Sequence, residues 1–165
     1  MNKTLRKWRS CLWILALSPV LQLQAQPADD ESTPWFQQTT DTGKYAVILT
    51  GAAASDEIAE RFARWTRELH NILRDDYGYA TDNIRVLIDD GQRMEGVTVT
   101  ASSTLTDIAD SLSVLRGEIG AGDQVTLFMI GHGSGTFGEA KFNNVGPDMT
   151  GADLAAMLEG FTEQD

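Results

Sequence analysis

One histidine stands where it could act as a catalytic base. The stretch VTLFMIGHGSG, residues 125–135, places His132 between two glycines, directly after six mostly apolar residues. Such a run predicts a buried β-strand, and a strand end fixes a side chain against a rigid sheet. Histidine titrates near neutral pH, which suits proton transfer. Gly131 would allow a sharp turn, and Gly133 would leave its N–H open to a developing oxyanion.

Three other interpretations of this glycine-rich stretch stay open. Residues 133–138, GSGTFG, match the pattern G-x-G-x-x-G, but no helical stripe follows and no Lys-Ser/Thr pair makes a Walker loop. An esterase oxyanion loop would need a downstream serine in G-x-S-x-G, a pattern that these 165 residues lack. In the simplest case, His132 closes its strand and hydrogen-bonds a loop carbonyl.

The elements that would position His132 alternate along the chain. Continuous apolar runs predict three strands: Lys44–Thr50, Ile84–Asp90 and Val125–Ile130. Apolar residues at helical spacing follow each strand, with helices predicted to start near Asp56, Thr104 and Thr150 and with irregular structure before the last one. We therefore predict an α/β fold, a three-layer α-β-α sandwich with a mostly parallel sheet. Ligands bind such sheets beyond the carboxyl ends of their strands, where His132 falls.

The first helix is predicted to bury one apolar stripe. Its members recur at helical spacing: Ile58, Phe62, Trp65, Leu69, Ile72 and Leu73. His70 falls off this stripe, so we predict a surface histidine rather than a ligand. With two histidines and no close His/Asp/Glu triplet, no metal site is expected.

Residues 1–26 have the layout of a secretory signal peptide. Four basic residues precede the apolar run Cys11–Leu23, which is short for a membrane span and interrupted by Pro19. Residues 27–43 are polar and acidic and are predicted to form a linker. We expect a secreted or periplasmic protein with no stable membrane insertion once the leader is removed, and a membrane-anchored one if the leader is retained.

Charge and cysteine content exclude several function classes. Residues 1–26 hold four basic residues and no acidic ones, so their removal takes the formal charge from −11 to −15. So acidic a surface argues against nucleic-acid partners and anionic membranes. Cys11, the one cysteine, lies in the leader, so residues 27–165 offer no disulfide, thiolate metal site or cysteine nucleophile.

Three stretches, in order, resemble the caspase and legumain clan of cysteine peptidases. Residues 45–91 resemble the first strand, helix and second strand of legumain-like enzymes, the last closing on Asp-Asp. VTLFMIGHGS resembles the clan's apolar strand followed by His-Gly and a small residue, and TGADLAAMLEGF resembles the helix after it. The resemblance covers about residues 44–161.

The resemblance implies a mechanism and a missing part. His132 would be the catalytic histidine, and the Gly133 N–H would contribute to an oxyanion hole. The nucleophile would be a cysteine at the end of the next strand, so residues 44–165 would be an incomplete peptidase domain, truncated before its fourth core strand and inactive alone. The partner would be a peptide or protein substrate, with no cofactor. The alternative is a non-catalytic peptide-binding or scaffold module.

The substrate preference departs from the clan's pattern. Caspases and legumains hold the substrate side chain partly through an arginine after the first strand, where this chain has Ser55 and Asp56. Asp89 and Asp90 end the second strand at the edge that carries His132, and Ser134 follows the His-Gly pair. These five polar residues are the candidate substrate contacts. An acidic pocket would favour Lys or Arg at the cleavage site, unless the carboxylates are solvated or cap turns. No oligomeric state is predicted.

Overall fold

Three strands form the central sheet, and their bounds follow the apolar runs. The computed structural model describes residues 43–92, 94–136 and 138–161, so the predicted leader and nearly all of the predicted linker lie outside the described residues. Strand β1 is Lys44–Thr50, as predicted. Strand β2 is Ile84–Ile88, shorter than predicted by Asp89 and Asp90, and β3 is Gln124–Ile130.

Each predicted helix begins at a capping side chain. Helix α1 is Asp56–Asp75, α2 is Leu105–Glu118 and α3 is Gly151–Leu158. The capping oxygens belong to Ser55, Thr104 and Thr150, and Asp153 completes a capping box with Thr150. Within the described part of the chain, no helix has the length and apolarity needed to cross a membrane.

The sheet has the order β2-β1-β3, and both pairings are parallel. At its carboxyl edge, Thr50 of β1 is aligned with Ile88 of β2 and with Ile130 of β3. The residues that follow the three strands therefore leave the sheet side by side. This register brings Gly51, Asp89 and Gly131 to one edge, as predicted for a parallel α/β sheet.

Helices cover both faces of the sheet. On one face, Leu73 of α1 joins a buried cluster with Ile48 and Val86. On the other face, α2 supplies buried Leu112 and Leu115 against β1 and β2, and α3 packs half-buried apolar residues onto the same cluster. The predicted α/β class with a mostly parallel sheet is thus confirmed, in an arrangement compatible with three layers.

Helix α1 buries Phe62 and Leu73 of its predicted apolar stripe, but it is rotated so that other members of the stripe are exposed. Trp65 and Ile72 are 44% and 43% exposed, whereas His70 is 2% exposed. The surface placement predicted for His70 is therefore wrong. Buried Thr66 lies one turn before His70, and its hydroxyl pairs with that of Thr50 at 2.6 Å. This hydrogen bond lets a polar helix face lie on the sheet without an unpaired hydroxyl.

The segment predicted to be irregular forms a second, antiparallel sheet. Strands β4 (Gly133–Thr136), β5 (Glu139–Phe142) and β6 (Met149–Thr150) follow the order β4-β5-β6. Gly138, with φ of 89°, lies between β4 and β5 in the left-handed region that glycine tolerates. The glycine-rich stretch is therefore paired backbone rather than a loop.

The two edges of the parallel sheet differ. Outside β2, the N–H of Thr100 donates to the Val86 carbonyl at 2.7 Å, and Ala101 forms a parallel bridge with Leu87. Outside β3, no strand of the described residues pairs, so its backbone edge is open. Open edges are templates for further strand pairing.

Candidate functional site

His132 emerges at the carboxyl edge of the sheet, after the edge strand β3. It lies two residues after the end of β3, and the N–H of Gly51, just after β1, donates to the Ile130 carbonyl at 2.9 Å. The imidazole is exposed and packs against the Phe62 ring of α1, with 5.3 Å between ring centroids and 52° between planes. Among the described residues, none hydrogen-bonds the imidazole. This is not what the simplest interpretation, a bond to a loop carbonyl, expects.

The backbone beside His132 is fixed by Asn143. The N–H of Asn143 donates to the His132 carbonyl at 3.0 Å, and its own carbonyl accepts from Ala52 at 2.9 Å. Asn143 thereby ties the end of β3 to the end of β1. Its side-chain oxygen Oδ1 is buried and has no hydrogen-bond partner in the described part of the chain. Sequence reasoning missed Asn143, because nothing in an Asn-Asn pair signals such a bridge.

Gly131 lies in a bend after β3, and close packing also excludes a side chain there. Its φ is not positive. A Cβ on Gly131 would lie 2.7 and 2.8 Å from Cε2 and Cζ of Phe142. On Gly51, a Cβ would lie 2.9 Å from the same Cζ and would overlap the Asn143 carbonyl oxygen. Both strand ends therefore lack side chains because the Phe142 ring rests on them.

Gly133 and Ser134 begin the β4 strand. A Cβ on Gly133 would lie 3.1 Å from the Lys141 carbonyl oxygen, a tight but lesser conflict. Ser134 is exposed, and its hydroxyl donates to Asp148 at 3.4 Å. Because a hairpin follows β3 here, the GSGTFG stretch does not open a helix, which a dinucleotide fingerprint requires.

A groove of about 310 Å³ lies beside His132 on the α3 side of the sheet. His132 and Gly133 line it together with Met129 of β3, Lys141 of β5 and Leu154 of α3. Met129 is 40% exposed, so the groove offers apolar surface close to His132. Ligand sites are usually clefts lined mainly by apolar side chains, with a few polar groups.

The remaining candidate residues lie elsewhere on the carboxyl edge. Ser55 and Asp56 are exposed at the start of α1, where the Ser55 hydroxyl accepts from the Ile58 N–H at 3.4 Å. Asp89 and Asp90 line a second cavity, also of about 310 Å³, that does not include His132. The structure thus brings Gly133 to His132 and places Asp89 and Asp90 in a separate cavity.

Asp89 combines a raised pKa with an unusual backbone conformation. Partial burial raises its pKa, and the neighbouring Asp90 charge raises it further. Asp89 is also the one described non-glycine residue with a positive φ, 39°. Asp90, by contrast, accepts hydrogen bonds from the backbone N–H and the side-chain amide of Gln92 at 3.1 and 2.9 Å.

Comparison with known proteins gives no relative. No family model, no curated protein and no solved structure matches this chain. In the part of the chain that the structure describes, no three His, Cys, Asp or Glu side chains are grouped to hold a metal ion. The functional argument therefore depends on the geometry of the carboxyl edge.

Proposed function

We propose that this chain contributes the histidine-bearing part of a cysteine endopeptidase of the caspase and legumain type. The supporting observation is the exposed His132 imidazole, two residues after the end of β3, with no hydrogen bond to any described residue. A base in this position, packed on Phe62 and braced through Asn143, is held against a rigid scaffold, yet its nitrogen atoms can still reach a substrate.

The reaction would follow the pattern of covalent acyl transfer. A cysteine thiolate attacks the scissile carbonyl, and the tetrahedral intermediate forms with its negative charge on oxygen. The Gly133 N–H donates to that oxygen. His132 gives a proton to the departing amine, which leaves an acyl-enzyme, and then takes a proton from the water that hydrolyses the thioester. The thiolate is regenerated, and the reaction uses no cofactor.

The nucleophile must come from polypeptide other than residues 27–165, which contain no cysteine. The resemblance implies a cysteine at the carboxyl end of a further strand, and the open edge of β3 is where such a strand would pair. A strand aligned in parallel with β3 would end beside Gly131, next to His132. Residues 1–165 alone are therefore expected to be inactive as a peptidase.

The substrate would be a peptide lying along the carboxyl edge of the sheet. Ser55, Asp56 and Ser134 are exposed there, and Asp89 and Asp90 line the neighbouring cavity. This acidic surface would favour a basic substrate side chain. The groove beside Met129 and Leu154 would hold an apolar part of the peptide.

A second candidate function is a peptide-binding or scaffold module with the same fold. It is favoured by the absence of any cysteine from residues 27–165. In that case the groove beside His132 would bind a peptide without cleaving it, and the open β3 edge could receive it as an added strand.

A covalent probe distinguishes the two functions. The full reading frame that contains these 165 residues is expressed without its leader and treated with a peptide acyloxymethyl ketone, and the labelled residue is located by mass spectrometry. For the peptidase we expect one labelled cysteine, with labelling slowed roughly 10²–10⁴-fold in His132→Ala. Glu139→Gln, an exposed change in β5, is the matched control and should label like wild type.

Two results would count against the peptidase. The first is a full-length protein with no labelled cysteine, which would leave the binding module. The second is a cysteine that labels at the same rate in His132→Ala, which would show an ordinary reactive thiol. Circular dichroism of each variant confirms that the fold is retained, since exposed His132 contributes little buried area.

A further inference from the structure

The second cavity at the carboxyl edge has walls suited to a small ligand. Its apolar side is formed by Phe62 and Ala63 of α1, Ile88 of β2 and Met94 of the following loop. Its volume of about 310 Å³ is at the lower end of the range for small-molecule sites, ~300–1,000 Å³. His132 does not line it, so the cavity is separate from the groove beside His132. A ligand bound here would occupy the place that the proposed function gives to a basic substrate side chain.

Five charged side chains line this cavity: Arg67 and the carboxylates of Glu60, Asp89, Asp90 and Glu95. Two of them, Arg67 and Asp89, are partly buried and form no ion pair within the described part of the chain. Arg67 lines it from α1, and its buried Nε has no hydrogen-bond partner in the described part of the chain. Asp89 lines it from the end of β2, and among the described residues no side chain forms an ion pair or hydrogen bond with its carboxylate. Arg67 and Asp89 do not pair with each other either. Partly buried charges are normally paired, so both groups lack a partner that a ligand could supply.

The backbone holds Asp89 in a conformation that costs energy. A φ of 39° is unfavourable for a residue with a Cβ, although Asp tolerates it better than most. The Asp89 carbonyl accepts from the Ser103 N–H at 3.0 Å, and the Asp89 N–H donates to Thr50 at 3.4 Å. Backbone strain of this kind is found most often at active sites and ligand sites, where surrounding hydrogen bonds hold the strained residue in place.

We propose that this cavity binds a free α-amino acid with an apolar side chain. The ligand carboxylate would pair with Arg67, its ammonium group with Asp89, and its side chain would contact Phe62, Ile88 and Met94. Arg67 offers planar donors that fit a carboxylate, and each charge-assisted hydrogen bond is stronger than a neutral one. A ligand with only one charge would leave either Arg67 or Asp89 unpaired.

Calorimetry with matched ligands tests the proposal on the wild-type chain. The probes are L-leucine, leucinamide, which lacks the carboxylate, and 4-methylpentanoic acid, which lacks the amine. We expect L-leucine to bind with a Kd of about 1 mM or lower, and each single-charge analogue to bind at least about tenfold more weakly. L-methionine and L-phenylalanine extend the series to other apolar side chains.

Two variants and two controls test whether L-leucine binds at Arg67 and Asp89. Asp89→Asn keeps the size and the tolerance for positive φ, and Arg67→Gln keeps a polar group; each should weaken L-leucine binding by about tenfold or more. The controls are Arg64→Gln and Asp82→Asn, which make the same changes of charge at exposed positions of α1 and of the turn before β2. Both should bind L-leucine as the wild type does.

The proposal is overturned by any of three results. One is no binding of the three amino acids at about 10 mM, well above the expected Kd. Another is equal binding of L-leucine and leucinamide, which would show a site for amines alone. The last is unchanged binding in both Asp89→Asn and Arg67→Gln. The analogue series needs no variant, so a folding defect in Arg67→Gln would not prevent a decision.

Discussion

Replacing Gly131 by alanine is expected to destabilise the fold through one aromatic ring. The added Cβ would lie 2.7 and 2.8 Å from two carbons of the Phe142 ring, well inside van der Waals contact. The ring cannot move toward β1, because it also rests on Gly51, and moving it away would open the cluster that contains Met149. Overpacking of this kind costs about 1–3 kcal/mol, which we expect in the free energy of unfolding.

Urea unfolding of four proteins isolates the contact: wild type, Gly131→Ala, Phe142→Leu and the double variant. Leucine lacks the two ring carbons that the new Cβ would meet, so Gly131→Ala should cost less than about 0.5 kcal/mol in the Phe142→Leu background. Gly117→Ala in α2 is the matched control, because a Cβ there meets nothing within 4 Å; it should stabilise by up to about 1 kcal/mol. The reasoning is refuted if Gly131→Ala is neutral, or if its cost is the same with and without Phe142.

Two further predictions concern stability. Thr66→Val should cost about 1–3 kcal/mol in urea unfolding because it leaves the buried Thr50 hydroxyl unpaired, whereas Thr50→Val/Thr66→Val should recover most of that loss; additive costs would contradict a shared hydrogen bond. The hydroxyls of Ser102 and Thr104 lower the pKa of Asp107 from its ordinary 3.8, so its stabilising effect is present above that pH and is lost as the pH falls through the lowered value. The stability difference between wild type and Asp107→Asn should therefore shrink in acid, and an unchanged difference would exclude this role.

The strands and helix starts could be predicted because their determinants are local. Continuous apolar runs such as KYAVILT specify strands buried on both faces, and the side chains at Ser55, Thr104 and Thr150 cap the helices they precede. Parallel pairing follows from the alternation of strands and helices, and it brings residues after each strand to one edge. The position of His132 was therefore predictable from spacing alone.

The features that escaped prediction depend on partners distant in the sequence. The burial of Thr66 and His70 accompanies a hydrogen bond between Thr66 and Thr50 of β1, 16 residues earlier, which the helical spacing of α1 does not reveal. The small sheet that begins at Gly133 was missed because its glycines have low strand propensity, and only pairing with β5 orders them.

The sequence drew attention to His132 and Gly133 but not to the residues that pack around them. Gly131 was explained by a turn, whereas the ring of Phe142, eleven positions later, is what excludes a side chain. The cavity between Arg67 and Asp89 could not be inferred either, since two unpaired charges on different elements leave no pattern in the sequence.

Phe62 connects the two halves of the carboxyl edge, and its position bears on the role of His132. The Phe62 ring contacts the imidazole of His132, and Phe62 also lines the cavity that contains Arg67 and Asp89. The Asn143 N–H donates to the His132 carbonyl, and the Phe62 ring contacts the His132 imidazole. Neither contact uses the imidazole nitrogen atoms, so both are compatible with the proton transfer that we propose for His132.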